Sequence, residues 1–377
     1  MTLSVLHVVE RIADEYGGPA KSIPYTAFYS QTENVRHSIA SGRYYSDDKN
    51  SVCDSLKIDY NQHKFFGSTK LAFSPDLFRQ IYYFVRKHNN ALIHVHNSWN
   101  LVPFFVYIMM VIFKTRVVVS ARGAFFPWSL NQGRVRKKIA WYLFQKRLLL
   151  NAVAVHVTSE GELKALQDLG ISKNVILIPN GVMTHAPISV SNNDRSDAAL
   201  RLLFVSRIHI KKGFDILLEA LCSELIDFDI EVIIAGGCSD EEYGRDVEAQ
   251  VLKLPGNINV SFLGHVVHPQ LTNLYNKADI FVLPSYTENF GIAIAEALSA
   301  ALPVITTIHT PWMEVRELNA GYIIDTCSKE LANAIVQFND TDSSQRAVMS
   351  ENAQRLIAKY DWRQLKSEYQ RMYGSFL

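Results

Sequence analysis

The residues best suited to chemistry lie in one segment, DIFVLPSYTENFGIAIAEALSAALPVITT, at positions 279–307. An apolar run stops at Pro284, a polar turn carries Glu288, Gly291 opens a helical run, and Glu296 lies inside that run. A glycine at a helix start lets backbone N–H groups approach an anion closely, and the helix dipole adds a favourable field. This pattern predicts an anion site with two carboxylates beside it.

The two glutamates have a spacing that suits one nucleotide. A rise of about 1.5 Å per helical residue puts Glu296 roughly 7 Å beyond Gly291, about the distance from a diphosphate to its ribose. A carboxylate there can accept two ribose hydrogen bonds, while Glu288 can reach a sugar beyond the phosphates. Alternatively, both glutamates are solvated, one in a turn and one on a helix. The apolar neighbours of Glu296, at 292–298, favour the functional interpretation.

Two cations lie at the end of another apolar run. Arg207 ends the segment RLLFVSR at 201–207, and Lys212 lies in the next segment, IHIKKG, which precedes a helical run. Arg207 and Lys212 flank this predicted strand-to-helix turn. A guanidinium binds phosphate oxygens bidentately and an ammonium supplies a point charge, so the pair suits a diphosphate that gains charge as it leaves. Lys211 is an alternative to Lys212 on spacing alone, and a solvated turn is the alternative to a site.

The elements that must position these residues alternate between strand and helix in both halves of the chain. The runs predict strands at 3–9, 92–96, 117–120, 152–157, 175–178, 201–206, 230–235, 260–263, 280–283 and 304–306. They predict helices at 20–31, 102–113, 135–150, 160–169, 214–221 and 292–300. Such alternation is typical of parallel sheets with crossover helices, which bind ligands beyond the carboxyl ends of their strands. We expect an α/β fold of two doubly wound Rossmann-like domains facing across a cleft.

Composition is that of an ordinary globular protein of about two domains. The 377 residues include 38 Lys and Arg against 37 Asp and Glu. The chain as a whole therefore has no net positive field that would attract nucleic acid, although these counts are compatible with a local basic patch. Four separated cysteines exclude a disulfide scaffold and favour a reducing compartment. We expect no targeting signal and no membrane span, because the longest apolar run, 101–113, is too short.

Several motifs together resemble glycosyltransferase family 4, a group of retaining enzymes with the GT-B fold. The matching segments are Gly17, Gly18 and Pro19 as a glycine loop, LIHVHNSW at 92–99, IPNGV at 178–182, Arg207 through Lys212 and Gly213 as an R…KG element, IAGG at 234–237, FLG at 262–264, and the glutamate pair at 288–296. The R…KG element combined with the glutamate pair is specific, whereas the glycine loop or the H-x-H strand alone is weak.

The resemblance implies roles for these positions. Arg207, Lys212 and Glu288 would be catalytic, with the two cations on the donor diphosphate, Glu296 on the ribose, and Glu288 on the transferred sugar. The remaining implied donor-binding residues are Gly17, Gly18, His265, Asn289, Phe290, Gly291 and Ile292. The family implies a nucleotide sugar as substrate, no metal ion or other cofactor, retention of configuration, and front-face attack assisted by the leaving phosphate.

The resemblance also implies domain limits. A first, acceptor-side domain would span 1–183, a linker 184–199, and a nucleotide-sugar domain 200–359, with the final helix at 360–377 packing back on the first domain. The polar stretch at 184–199, which lacks an apolar period, independently indicates a linker.

The residues on the acceptor side have roles with open alternatives. Many family members have a histidine where this chain has Arg122 and Gly123, a turn that resembles bacterial polysaccharide and O-antigen sugar transferases. Arg122 would either bind an acceptor phosphate or be structural. His94 and His96 share a strand face, but no third metal ligand is evident, so we predict a core or cleft-lining role.

A basic amphipathic helix is predicted at 133–150. Its cationic residues flank an apolar stripe of Val135, Ile139, Tyr142, Leu143 and Leu150. It is either an ordinary domain helix with a solvated basic face or a peripheral contact with anionic lipid, near a lipid-linked acceptor. We therefore expect a cytoplasmic protein, peripheral on the inner face of the cytoplasmic membrane.

Three functions fit these observations. The first is a hexosyltransferase that moves a sugar from a UDP- or GDP-linked donor to a glycan or lipid-linked oligosaccharide. The others are a nucleotide-sugar 2-epimerase, which would consume donor without acceptor, and a non-catalytic partner that binds nucleotide sugar. The R…KG element and the glutamate pair favour the first.

Overall fold

The apolar runs of each half of the chain form a parallel sheet. The computed structural model describes residues 2–44, 49–68, 71–96, 98–184, 199–238, 240–267 and 269–377. The chain divides into two units, Met1–Gly181 with Trp362–Leu377, and Val182–Asp361. Most of the predicted linker at 184–199 lies outside the described residues.

The first unit contains a seven-stranded sheet with the order β3-β2-β1-β4-β5-β6-β7. Its strands are β1 (Leu3–Arg11), β2 (Val35–Arg43), β3 (Tyr60–Lys64), β4 (Ala91–Val95), β5 (Arg116–Ser120), β6 (Ala154–Val157) and β7 (Val175–Leu177). Neighbouring strands pair in parallel, and the strand order reverses between β1 and β4. Ligands of doubly wound sheets bind at such reversals.

Helices cover both faces of this sheet. They are α1 (Gly18–Ser30), α2 (Ser51–Leu56), α3 (Pro75–Lys87), α4 (Leu101–Phe113), α5 (Pro127–Asn131), α6 (Arg134–Ala140), α7 (Lys146–Asn151) and α8 (Glu160–Asp168). A π-helical turn, Trp141–Gln145, joins α6 to α7, so the predicted helix at 135–150 is nearly continuous. β2 and β3 were not predicted, because they are rich in polar residues and lack the apolar runs used to find strands. The helices α2 and α3 in the same part of the chain were not predicted either.

The second unit contains a six-stranded parallel sheet with the order β10-β9-β8-β11-β12-β13. Its strands are β8 (Leu200–Val205), β9 (Ile230–Ala235), β10 (Ile258–Phe262), β11 (Ile280–Leu283), β12 (Val304–Thr307) and β13 (Gly321–Ile324). Its helices are α9 (Phe214–Leu221), α10 (Glu241–Val251), α11 (Gln270–Lys277), α12 (Ile292–Ser299), α13 (Glu314–Glu317), α14 (Ser328–Asn339) and α15 (Ser343–Ile357). Both sheets fit the expected Rossmann-like architecture.

The last helix, α16 (Trp362–Gly374), belongs to the first unit. Trp362 stacks on Tyr25 of α1 with ring centroids 5.7 Å apart. A Cβ on Gly181 would lie 2.4 Å from the Trp362 ring, so glycine permits this close approach. α1 and α16 thereby cover one face of the first sheet.

The described helices include none that is both long and apolar enough to cross a bilayer. All four cysteines are unpaired; Cys53 is buried and the other three are exposed.

Candidate functional site

The predicted donor residues of the second unit lie where its sheet reverses direction. β8 and β11 are neighbours, so the loops that follow them, 206–213 and 284–291, leave the same edge of the sheet. The two loops touch, because the Tyr286 N–H donates to the Lys211 carbonyl at 2.9 Å. Gly213 adopts φ +69°, and a Cβ there would lie 1.9 Å from the Pro284 oxygen. The glycine of the R…KG element therefore lets the loops meet.

Lys212 and Glu288 form an ion pair across these loops. Their side chains are 18% and 9% exposed, so the pair is largely shielded from water. The Ser285 hydroxyl also donates to Glu288 Oε1, at 3.0 Å. Burial alone would raise the Glu288 pKa, but the charges of Lys212 and Lys211 and these hydrogen bonds outweigh burial and lower it. Glu288 is therefore a carboxylate at neutral pH, and Lys212 rather than Lys211 is its ion-pair partner.

Positive charge is concentrated beside that pair. Burial lowers the pKa of His209, and the nearby charges of Arg207, Lys211 and Lys212 lower it further. The Lys211 pKa is lowered by burial and by Lys212 and Arg207, against the opposing effect of Glu288. Arg207 itself is exposed. The loop after β8 thus offers cations to an anion arriving from solvent.

The start of α12 adds a helix N-terminus at this edge. Gly291 adopts φ +78°, and a Cβ there would lie 3.0 Å from Ile294 and 3.2 Å from the Trp312 indole nitrogen. The Trp312 indole N–H donates to the Phe290 carbonyl, and the buried Phe290 ring packs on Trp312 at 5.2 Å. Phe290 can therefore serve the predicted site only through its backbone. Asn289 and Ile292 flank this turn.

Glu296, one turn into α12, has a partner that sequence analysis missed. The Tyr275 hydroxyl of α11 donates to Glu296 Oε2 at 3.1 Å. The Tyr275 pKa is raised well above its usual value by burial and by the Glu296 charge, so the phenol stays protonated as a donor. A carboxylate has about four acceptor positions, so Glu296 can still accept hydroxyls from a ligand.

Other predicted donor residues lie apart from this cluster. His265 is exposed in the loop after β10, where the Gly264 carbonyl accepts from the Gly236 N–H at 2.7 Å. Gly17 and Gly18 begin α1 in the first unit, after β1, and Gly17 adopts φ +83°. Their roles toward a donor stay predictions.

The first unit brings together histidines that the sequence separates widely. Arg122 Nε donates to His96 Nδ1 at 3.1 Å, and His96 Nε2 lies 2.8 Å from His7 Nδ1. His7 Nε2 lies 2.9 Å from His37 Nδ1, and His37 Nε2 lies 3.0 Å from the Ser30 hydroxyl. Because a guanidinium can only donate, each histidine must accept at Nδ1 and donate from Nε2. In this series of hydrogen bonds, from Arg122 to Ser30, every donor therefore points in the same direction.

A second chain of hydrogen bonds lies beside the first. His156 Nε2 donates to the Ile178 carbonyl at 2.9 Å, so its Nδ1 accepts from the Ser120 hydroxyl, also at 2.9 Å. Ser120 in turn accepts from His94 Nε2 at 2.8 Å, and His94 Nδ1 accepts from the Tyr373 hydroxyl at 2.6 Å. All five histidines are accordingly neutral with a proton on Nε2.

A metal ion is poorly suited to this cluster. The ligand nitrogens of His7, His94 and His96 lie within 4.8 Å of one another, so His7 supplies the third ligand that sequence analysis did not find. The two hydrogen-bond chains nevertheless occupy both ring nitrogens of each of these histidines. The Arg122 charge also opposes a cation. The cluster fits the core role predicted for His94 and His96.

Arg122 is fixed by two partners at the carboxyl end of the first sheet. Besides His96, it donates from Nη1 to the Ser22 hydroxyl of α1 at 2.9 Å. Arg122 adopts φ +48°, and the next residue, Gly123, donates its N–H to the buried Glu162 carboxylate. These contacts give Arg122 a structural role and leave an acceptor role as a prediction.

Two family models match successive parts of the chain. Residues 39–181 match a glycosyl transferase 4-like domain, and residues 190–356 match glycosyl transferases group 1. The second match contains the Lys212–Glu288 pair, and the first contains Arg122 and three of the five clustered histidines.

Known proteins resemble the chain in sequence or in fold. A probable sucrose-phosphate synthase of Thermosipho melanesiensis is 28% identical over 204 residues, 53% of this chain and 47% of that protein, so the chain matches about half its length. Anabaena HepE, solved with UDP and glucose, gives a TM-score of 0.77 at 19% identity over 99% of this chain and 100% of its own. WaaG, a glycosyltransferase involved in lipopolysaccharide biosynthesis, gives a TM-score of 0.73 at 16% identity, over 97% of this chain and 99% of its own. These structures show that the fold is of the expected GT-B kind.

Proposed function

The chain belongs to the glycosyltransferases whose 4-like domain precedes a group 1 domain, and we propose that it transfers a hexose from a UDP- or GDP-linked donor to a glycan hydroxyl. A UDP- and glucose-bound HepE among its structural neighbours supports a donor of this class. We propose that the acceptor is a lipid-linked oligosaccharide of surface polysaccharide or O-antigen synthesis, in line with the role of WaaG. Such an acceptor requires a membrane contact, for which we propose residues 133–150 at the inner face of the cytoplasmic membrane.

The Lys212–Glu288 pair beside Arg207 carries this proposal. When the bond between the sugar and the donor phosphate breaks, negative charge grows on the departing nucleoside diphosphate. Fixed cations stabilise that state more than the ground state and so lower the barrier. We propose that Arg207 and Lys212 supply this charge, which a metal ion supplies in other enzymes, and that transfer needs no metal.

Glu288 has the wrong protonation for an acid catalyst. Its lowered pKa keeps it ionised, and its Oε1 already accepts hydrogen bonds from Lys212 and Ser285. We therefore propose that Glu288 orients Lys212 and binds sugar hydroxyls. The acceptor oxygen would form its bond to the anomeric carbon on the face that the phosphate leaves. Its proton would pass to the leaving phosphate oxygen, which gives retention without a covalent enzyme intermediate.

Glu296 would hold the donor ribose while Tyr275 fixes its position. The 3.1 Å hydrogen bond from Tyr275 leaves acceptor positions on the carboxylate for two ribose hydroxyls. The backbone of residues 289–292, at the start of α12, would meet the sugar and phosphates. Gly17, Gly18 and His265 remain proposed donor contacts, and His96 and Arg122 proposed acceptor-side contacts.

A thermal-shift panel of nucleoside diphosphates and nucleotide sugars tests the donor. A true donor at about 100 times its dissociation constant stabilises the protein by about 2.7 kcal/mol. Arg207→Ala should mainly lower turnover, and Glu296→Ala should weaken nucleotide binding. Lys253→Ala, an exposed lysine of the same unit, is the matched control. Full activity in Arg207→Ala would contradict the mechanism.

The product distinguishes the remaining functions. A glycosylated acceptor supports the proposal, whereas an epimerised donor formed without acceptor would indicate a 2-epimerase. Tight nucleotide binding with no turnover of any donor would indicate a non-catalytic partner.

A further inference from the structure

One tyrosine joins the two loops of the candidate site on both sides of Lys212. The Tyr286 N–H donates to the Lys211 carbonyl at 2.9 Å, and the Tyr286 hydroxyl donates to Asp215 Oδ2 at 2.7 Å. Asp215 lies in the first turn of α9, three residues after Lys212. Glu288, the ion-pair partner of Lys212, follows Tyr286 by two residues. Two short segments are therefore joined at three points, and the ion pair is one of them.

The loop that carries Glu288 is also attached to the end of β12. The Glu288 N–H donates to the His309 carbonyl at 3.1 Å, and the Thr307 hydroxyl donates to the Ser285 carbonyl at 2.6 Å. These contacts lie on the side of β11 away from β8. Tyr286 fixes the loop in the opposite direction, towards α9. Loss of its hydroxyl contact would therefore leave the loop folded but freer to move relative to the loop after β8.

Packing alone does not account for Asp215. The residue is half-buried, and its Oδ1 is buried without a hydrogen-bond partner among the residues that the structure describes. Removal of a carboxylate from water costs free energy that an uncharged side chain would not cost. The dipole of α9 favours an acidic residue in its first turn, but it does not require that a tyrosine of another loop should reach that residue. The contact therefore indicates a role in joining the loops.

The Tyr286 hydroxyl remains a hydrogen-bond donor at neutral pH. Burial raises the Tyr286 pKa to about 12, and the hydrogen bond to Asp215 and the charge of Asp215 contribute to this rise. The phenol therefore keeps its proton and does not serve as a base. A contact that does not change with pH in the neutral range suits a fixed support for the loop and not a proton transfer.

We propose that Tyr286 and Asp215 are positioning residues for the proposed transfer. Their hydrogen bond holds the loop of Glu288 against the loop of Lys212, which keeps the Lys212 ammonium at the place where the leaving diphosphate gains charge. Neither Tyr286 nor Asp215 would touch the donor or the acceptor. A misplacement of about 1 Å near a reacting centre can lower the rate about 100-fold, so such a support matters. The inference rests on the proposed function, because that function assigns Lys212 to the leaving group.

Kinetics of Tyr286→Phe, alone and together with Lys212→Ala, test the proposal. The single variant keeps the ring and loses the hydrogen bond, so kcat at saturating substrates should fall about tenfold while the donor KM changes less than about twofold. In the Lys212→Ala background the same change should alter kcat less than about twofold, because the group to be positioned is already absent. Tyr322→Phe removes a hydroxyl contact to Thr341 on the edge strand β13, and this matched control should leave kcat unchanged.

Variants at Asp215 separate the hydrogen bond from the charge. Asp215→Asn keeps an oxygen that can accept from the Tyr286 hydroxyl, so kcat should stay within about threefold of the value for the unchanged protein. Asp215→Ala removes the acceptor and should lower kcat about tenfold, as Tyr286→Phe does. An equal loss in Asp215→Asn and Asp215→Ala would assign the effect to the carboxylate charge and would contradict a positioning role.

Hydrogen exchange tests the contact independently of activity. In Tyr286→Phe the N–H of residue 286 should exchange about tenfold faster, whereas the Glu288 N–H, which donates to the His309 carbonyl, should keep its protection. Unchanged exchange and unchanged kcat in Tyr286→Phe would overturn the proposal, as would an equal fold loss of kcat with and without Lys212. Failure of the proposed function would look different, since Tyr286→Phe would still loosen the loop while no donor was turned over.

Discussion

The two sheets end in very different electrostatic environments at the point where each reverses its strand order. In the first unit Arg122 is held by neutral histidines and a serine, in chains of hydrogen bonds with a single direction. In the second unit Lys212 is paired with a carboxylate, and Arg207 beside it is exposed. The same topology therefore holds one buried cation among neutral histidines in the first unit, and a shielded ion pair beside an exposed cation in the second.

The contrast indicates what each site can do. A network in which each histidine uses both ring nitrogens holds its groups in place, and the buried Arg122 Nη2 is left in it without a hydrogen-bond partner in the part of the chain that the structure describes. Charges that are paired yet partly accessible can exchange a protein partner for a phosphate. We therefore expect changes in the first unit to alter stability and changes in the second to alter binding and turnover.

Acidification should destabilise the first unit much more than the second, and this is the largest effect expected. Burial lowers the pKa of His37 to about 3 and that of His156 to about 4. Unfolded histidine titrates near 6.5, so below that pH the unfolded chain binds more protons and stability falls with acidification until about pH 3–4. At pH 5 these two histidines alone should cost about 4 kcal/mol. Hydrogen exchange should then show β1 and β4 losing protection before β8 and β11.

A matched variant sharpens that prediction. His37→Gln removes one titrating group, so the loss of unfolding free energy per pH unit, measured in urea, should be smaller by about 1.4 kcal/mol. Equal acid sensitivity of the two sheets would contradict the neutral assignment of the cluster.

Removing Lys212 should have the next largest effect, and on turnover instead of stability. Lys212→Ala deletes a cation at the proposed leaving group and leaves Glu288 to repel the diphosphate, so kcat should fall about 10²–10³-fold. Initial rates with saturating donor measure this, and Lys253→Ala should leave them unchanged. A change of less than threefold in the Lys212 variant would remove Lys212 from the mechanism.

Replacing Arg122 tests the histidine network of the first unit directly. Arg122→Met leaves His96 Nδ1 and the Ser22 hydroxyl without their donor, which should lower the unfolding free energy by about 2–3 kcal/mol. Arg122→Lys should recover only part of this, because one ammonium lacks the guanidinium's spread of donors. Urea denaturation measures both variants. Unchanged stability with a raised KM for acceptor would assign Arg122 to acceptor binding instead.

The smallest effect is expected at Tyr275. Tyr275→Phe removes one hydrogen bond to Glu296 without changing its charge, so the dissociation constant for the nucleoside diphosphate should rise about fivefold. Glu296→Ala should weaken binding more, because it removes the proposed ribose contact itself. Calorimetric titration compares the two. Tighter binding in Tyr275→Phe would show that Tyr275 competes with the ribose.

Periodicity and motif spacing predicted the segments that carry the site of the second unit, whereas α13, β13, α14 and α15 of that unit were not predicted. The runs at 280–283 and 292–300 correspond to β11 and α12, and the R…KG and glutamate motifs meet at one edge of the sheet. Between residues 31 and 91 four elements were missed, because an edge strand such as β3, YNQHK, has no apolar run. Tyr275 was also missed, since nothing in its own segment shows that α11 packs beside α12.

What the amino-acid sequence determined by itself is local. The sequence shows directly the alternation of apolar runs, the positions of Gly213 and Gly291 and the types of charged residue. The periods and torsions behind these features depend only on residues that are close along the chain. The pairing of His7 with His94 and the direction of the histidine chains depend on strand order and register, which packing sets. The exposure of Val135, Ile139 and Leu143 was likewise decided in three dimensions, because an apolar stripe of a helix is core or surface only according to what lies against it.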